Sequence, residues 1–138
     1  MSGPIPYLLF PDRQARPALE RYREIFGGEL ELHADADMAA GDADRIQHGI
    51  LVGPVRLYGA DADEGDVPLP LAGAHLALLG AAAPAELHRW FDALAEGGRV
   101  ESPLERRPWG AADGIVVDRW GVRWLVGYED GDAPEAAA

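Results

Sequence analysis

The chain has 138 residues and a formal net charge of −12, with 24 acidic side chains against 12 basic ones, all of them arginine. That length fits one domain with a substantial hydrophobic core, and the acidic balance repels a phosphate backbone, so no nucleic-acid partner is expected. Cysteine, lysine, threonine and asparagine are absent, which removes disulfides, thiol nucleophiles, thiolate metal sites, Schiff-base lysines and a Walker A lysine.

The only serines, Ser2 and Ser102, stand in no nucleophile-elbow sequence. Any chemistry therefore rests on histidine, carboxylate, tyrosine or arginine. There is no apolar run long enough to cross a membrane and no basic start followed by an apolar stretch. A soluble cytoplasmic protein with no membrane partner is the expectation.

In chain order, Ile5 to Phe10 reads as a strand with Leu8 and Phe10 on one face and Tyr7 and Leu9 on the other. A helix is predicted from Ala15 to Phe26, where Leu19, Tyr22, Ile25 and Phe26 recur at helical spacing, Pro17 suits the first turn and Gly27-Gly28 ends it. Glu29 to His33 begins a second strand. The acidic stretch 34–44 reads as a loop, and Arg45 to Val52 and Val55 to Tyr58 read as third and fourth strands around Gly53-Pro54. The first module thus spans 5–59. Residues 60–73, with charge, glycine and two prolines but no periodicity, read as a linker.

The same design then restarts over 74–128. His75 to Leu79 is a strand; Pro84 opens a second helix whose buried stripe is Leu87, Trp90, Phe91 and Leu94, and Gly97-Gly98 ends it. Strands follow from Arg99 to Ser102 or slightly beyond, from Gly114 to Val117, and, after the turn Asp118 to Gly121, from Val122 to Tyr128. The tail 129–138 is acidic and alanine-rich, with nothing to bury, and is expected to fray. An offset of 68 aligns Leu8 with Leu76, Phe10 with Leu78, Leu19 with Leu87, Tyr22 with Trp90 and Phe26 with Leu94. Two copies longer than a solenoid repeat indicate one duplicated domain. The aspartate-rich stretches ADADMAAGDADR and ADADEGD lack the glycine and glutamate spacing of a calcium loop, and read as solvated acidic loops.

PYLLF followed by ALERYREIFGG, and AHLALL followed by FDALAEGGRV and PWGAADGIVVDRWGVRWLV, resemble the vicinal oxygen chelate superfamily of glyoxalases, bleomycin-resistance proteins and dioxygenases. The stretch from Trp109-Gly110 through Gly114, Asp118, Gly121 and Trp124 is most similar to its PhnB-like branch. The resemblance covers about residues 5 to 128. It implies an α+β fold of two pseudo-symmetric βαβββ modules whose curved sheet surrounds a cleft, commonly as a homodimer. In metal-dependent members it also implies one ligand, His or Glu, on the first and last strand of each module.

At those positions the chain offers Pro6 or Tyr7, one of Arg56, Leu57 and Tyr58, then His75, and Leu125 beside Trp124. One imidazole with no carboxylate falls short of a zinc or iron site, and an arginine nearby repels a dication, so neither metal nor cofactor is expected. Glu129 shares strand parity with Leu125 and is the one carboxylate that can reach the mouth of the cleft. His75 is the candidate catalytic residue, as a general base or a donor to ligand, or else a polar residue without a role. His33 and His88 read as lying at a strand end and on a helix surface. Tyr7, His48, Arg56, Tyr58, His75, Trp109 and Leu125 are the candidate ligand-binding residues; Trp109 fits a pocket rim or a dimer contact, and Arg56 would favour an anionic group. The reading that follows is a metal-free cleft binding a small organic molecule, by sequestration as in resistance proteins. The alternatives are a glyoxalase- or dioxygenase-like lyase or oxidoreductase using His75, and a non-catalytic dimeric interaction module.

Overall fold

The computed structural model describes residues 4–34, 45–63 and 73–129. Most of the acidic loop at 34–44, the middle of the expected linker and the tail beyond Glu129 lie outside the described residues. Two compact units, Met1–Leu69 and Pro70–Ala138, repeat one topology. The first contains β1 (Tyr7–Phe10), α1 (Ala15–Phe26), β2 (Glu29–Ala34), β3 (Ile46–Val52) and β4 (Leu57–Asp61). Its sheet order is β1-β4-β3-β2, with β1 parallel to β4 and the other neighbours antiparallel. The second contains β5 (Leu76–Leu79), α2 (Pro84–Ala95), β6 (Arg99–Arg106), β7 (Ala111–Val117) and β8 (Arg123–Glu129), in the equivalent order β5-β8-β7-β6. The class is α+β, with two βαβββ modules as the repeat implied.

Each helix covers one face of its own sheet, α1 on β2, β3 and β4 and α2 on β6, β7 and β8. The residues matched by the internal repeat are what fills those interfaces. Phe10, Leu19, Tyr22 and Phe26 are buried in the first unit, as are Leu78, Leu87, Trp90 and Leu94 in the second. Burying side chains of that size contributes about 1.5–3 kcal/mol apiece relative to exposure, so the repeat records the apolar contacts that each half needs. The paired glycines have a steric cause as well. A Cβ on Gly28 would stand 2.4 Å from the Val52 carbonyl oxygen, and one on Gly98 would stand 2.0 Å from that of Val117. In both units the chain leaving the helix passes against the sheet where only glycine fits.

Several boundaries differ from expectation. The first strand opens at Tyr7 and the fifth at Leu76, leaving His75 just outside β5. The β6–β7 hairpin is longer than predicted, because Arg107 N–H donates to the Ala111 carbonyl at 2.6 Å and carries the pairing to the tip. The larger correction is at β4, which runs from Leu57 to Asp61 rather than from Val55 to Tyr58. Asp61, expected in a solvated acidic stretch, is only 3% exposed. Its Oδ1 accepts the Ala15 N–H at 2.9 Å and its Oδ2 accepts the Ile46 N–H at 2.8 Å.

The reason lies at the start of α1. Gln14 supplies no side-chain cap, so a first-turn N–H needs an acceptor from elsewhere. The second unit solves the same problem without a carboxylate. There the helix begins at Pro84, which has no N–H, and the strand position equivalent to Asp61 is the apolar Val126: Asp61 pairs with Phe10, and Val126 with its counterpart Leu78.

Asp118 is the other buried carboxylate. Its Oδ1 accepts the N–H groups of Trp120 and Val122 at 2.9 and 3.0 Å, and its Oδ2 accepts the Trp124 indole N–H at 2.9 Å. One side chain thus closes the β7–β8 turn and fixes a core tryptophan.

Asp61→Ala orphans two buried N–H groups, each at about 1–3 kcal/mol. Urea denaturation is expected to show a loss of roughly 2–4 kcal/mol relative to wild type. A loss under about 0.5 kcal/mol, the range of ordinary surface substitutions, would show that Asp61 does not anchor α1 and β3.

Candidate functional site

Side chains on each sheet alternate between the helix-covered face and the opposite one. In the first unit the helix-free face gathers four rings, one from each strand. Tyr7 of β1 pairs in register with Tyr58 of β4, and His33 of β2 with His48 of β3. Tyr7 and His48 stack at 5.5 Å with planes 19° apart, and His48 and His33 stack at 6.3 Å and 17°. The edge of Tyr58 closes the group, lying T-shaped to Tyr7 at 6.2 Å and to His48 at 5.5 Å. Leu9 and Val52 are exposed on the same face.

Hydrogen bonds fix the polar tips. The Tyr7 hydroxyl lies 2.8 Å from His48 Nδ1. Burial of its hydroxyl raises the Tyr7 pKa above its ordinary value, so the phenol keeps its proton at neutral pH. His33 Nε2 donates to Glu31 Oε1 at 2.9 Å.

On the second unit's helix-free face the chemistry is charged. Arg123, the first residue of β8, donates through Nη2 to His75 Nε2 at 3.0 Å and through Nη1 to Glu101 Oε1 at 2.7 Å. Glu101 also accepts from Arg99 at 3.0 Å. A guanidinium has only donors, so His75 must accept at Nε2 and hold its proton on Nδ1. Beyond this cluster Ala77, Leu125 and Ile115 lie side by side across β5, β8 and β7. Further on, Arg107 binds Asp113 at 2.9 Å and Ser102 at 2.9 Å.

Of the seven candidate residues, Tyr7, His48 and Tyr58 join the ring cluster, while His75, just before β5, and Leu125 of β8 belong to the second unit. Arg56 is exposed just before β4 and makes no hydrogen bond or ion pair among the described residues. Trp109, at the tip of the β6–β7 hairpin, is 71% exposed. His88 is half-buried rather than on the surface of α2, bonded to the Tyr128 hydroxyl at 2.9 Å. Sequence reasoning missed Arg123, Glu101, Glu31 and the part His33 plays in the ring stack. Arg123 escaped because the repeat offset changes along the chain. Leu8 pairs with Gly59 and its counterpart Leu76 with Trp124, so the counterpart of Tyr58 is Arg123, two residues before Leu125.

The family model described as Glyoxalase/Bleomycin resistance protein/Dioxygenase superfamily matches residues 5–126. The chain belongs to this superfamily. It is 33% identical to protein PA1353 from Pseudomonas aeruginosa, covering 94% of this chain and 98% of that one with a TM-score of 0.79. A PhnB protein from Bacillus cereus shares the fold at 18% identity, with 92% and 99% covered and a TM-score of 0.71. So does the fosfomycin resistance protein FosX from Mesorhizobium loti, at 13% identity, with 99% and 98% covered and a TM-score of 0.56. No curated protein matches the sequence.

The resident divalent metal of some superfamily members does not suit these side chains. The first and last strands of the two modules bring together Tyr7 with Tyr58 and His75 with Arg123. The single imidazole uses its Nε2 lone pair on a guanidinium, a fixed positive charge at the place a dication would need. Among the described residues no three His, Cys, Asp or Glu side chains are grouped to hold a metal ion.

The Tyr7 pKa yields a signed pH dependence. The ring as a whole is 47% exposed, but partial desolvation of its hydroxyl holds the folded value above the ordinary 10.0, so the native state holds the phenolic proton more tightly than the unfolded chain does. That contribution to stability is complete below the unfolded value and disappears as pH rises through the folded one. Ultraviolet difference titration of wild type against Tyr7→Phe is expected to show a Tyr7 midpoint above 10.0. A midpoint at or below it would contradict the packing described for this ring.

Proposed function

We propose that this superfamily member binds a small organic molecule through its helix-free sheet faces, without a resident metal and without turning it over, in the manner of a sequestering protein. The observation that carries the reading is the ring cluster of the first unit. Tyr7, His48 and His33 lie nearly parallel, with Tyr58 edge-on and exposed Leu9 and Val52 nearby. Such a surface favours a planar, partly apolar ligand, and its fixed hydrogen bonds add preorganisation. The acid–base alternative centred on His75 is the weaker reading, since the Nε2 lone pair that a base requires is engaged by Arg123. Action in the cytoplasm, as a homodimer, belongs to the same proposal. The FosX likeness supports the fold alone.

The test combines metal analysis of tag-free protein with thermal-shift screening of aromatic metabolites and antibiotics. The expected result is metal far below stoichiometry and at least one stabilising compound, worth about 2.7 kcal/mol at a ligand concentration 100-fold above Kd. Tyr7→Ala and His48→Ala should remove that stabilisation. Stoichiometric metal lost on His75→Ala, or a full panel without a Tyr7-dependent hit, would sink the proposal.

A further inference from the structure

We infer that the helix-free face of the second sheet binds an organic carboxylate, with the Arg123 guanidinium as anchor and Ala77, Leu125 and Ile115 as the floor under the ligand's apolar body. This rests on the small-molecule binding proposed above but places a distinct chemistry on a different unit. Arg123 is held in place by Glu101 at 2.7 Å and His75 at 3.0 Å, so its planar fork is preorganised. Its Nε atom is buried and has no hydrogen-bond partner among the described residues. The reachable donors are at the other end of the fork: Nη1 and Nη2 each carry two N–H groups and use one on Glu101 or His75, and the side chain is still 20% exposed.

The charge count points the same way. Arg99 and Arg123 share the single carboxylate of Glu101, leaving one positive charge in a chain of net charge −12. His75, accepting at Nε2, adds no charge and keeps an Nδ1–H donor. The carboxylates further along the face do not compete: Arg107 binds both Asp113 and Glu105, and Glu129 lies at the far end of β8, six residues or about 20 Å from Arg123. One residual charge in a bidentate fork matches a monoanionic carboxylate better than a phosphate dianion. The row Ala77, Leu125 and Ile115 begins one two-residue step, about 7 Å, along the strands from Arg123. That spacing suits an acid whose ring or short chain follows directly on the carboxylate.

Calorimetric titration with phenylacetate and its neutral isostere phenylacetamide tests the assignment. Wild type is expected to prefer the acid by at least about tenfold, with the preference fading as salt is raised. Arg123→Gln should bind acid and amide alike. Should that variant fail to fold by circular dichroism, the wild-type protein still decides: phenylacetate, and not the amide, must shift the Arg123 Nε–H resonance. Equal binding of acid and amide to wild type, an unmoved Nε–H resonance, or a preference that survives in folded Arg123→Gln overturns the inference. Absence of phenylacetate binding up to about 10 mM does so too. None of these outcomes touches the Tyr7-dependent binding assigned to the first unit, which stands or falls by its own screen.

Discussion

The parallel pairing of the first and last strands within each unit is the constraint from which the rest follows. β1 beside β4, and β5 beside β8, cannot be joined by a tight turn, so the chain must cross over before it returns. The crossover supplies the helix, which buries one face of the sheet, and the two intervening strands complete it. What is left is a helix-free face on which residues from the two ends of the unit become neighbours. Tyr7 meets Tyr58 and His75 meets Arg123 through this pairing alone, across some fifty positions of sequence.

The two units use equivalent positions for opposite kinds of chemistry. The first puts neutral rings there, joined by a phenol-to-imidazole hydrogen bond; the second puts a cation there, braced by an imidazole and a shared carboxylate. The scaffold residues have not diverged in the same way, since Leu19 and Leu87, or Tyr22 and Trp90, meet the same packing demand. Duplication has kept the contacts that fold each half and freed the face that does not take part in folding. The superfamily's shared architecture therefore says little about what any one member binds.

The fold was legible because its signals are local. Helical spacing from Leu19 to Phe26 and from Leu87 to Leu94, and glycine pairs at the helix exits, each report on a few consecutive residues. The site was legible only in part. Tyr7 and Tyr58 were among the residues offered by the ligand positions of the family resemblance, but the partner of His75 depends on the register between β5 and β8, and a three-residue difference between the modules hides it from a constant offset. Asp61 was misread for a related reason. Its neighbours in sequence are acidic and small, while the groups that require it, the N–H of Ala15 and of Ile46, lie 46 and 15 residues away. Burial of a carboxylate by distant donors leaves no periodic trace.

The indole clamp formed by Asp118 and Trp124 has a consequence for how this molecule can be observed. All four tryptophans, Trp90, Trp109, Trp120 and Trp124, belong to the second unit, whereas three of the four tyrosines, Tyr7, Tyr22 and Tyr58, belong to the first. Trp90 and Trp124 are buried and Trp109 is exposed, so emission from the indoles combines a core signal and a surface signal from one half of the chain. Intrinsic fluorescence thus follows the second module and tyrosine absorbance mainly the first, and the native chromophores can distinguish the melting of one repeat from the melting of both.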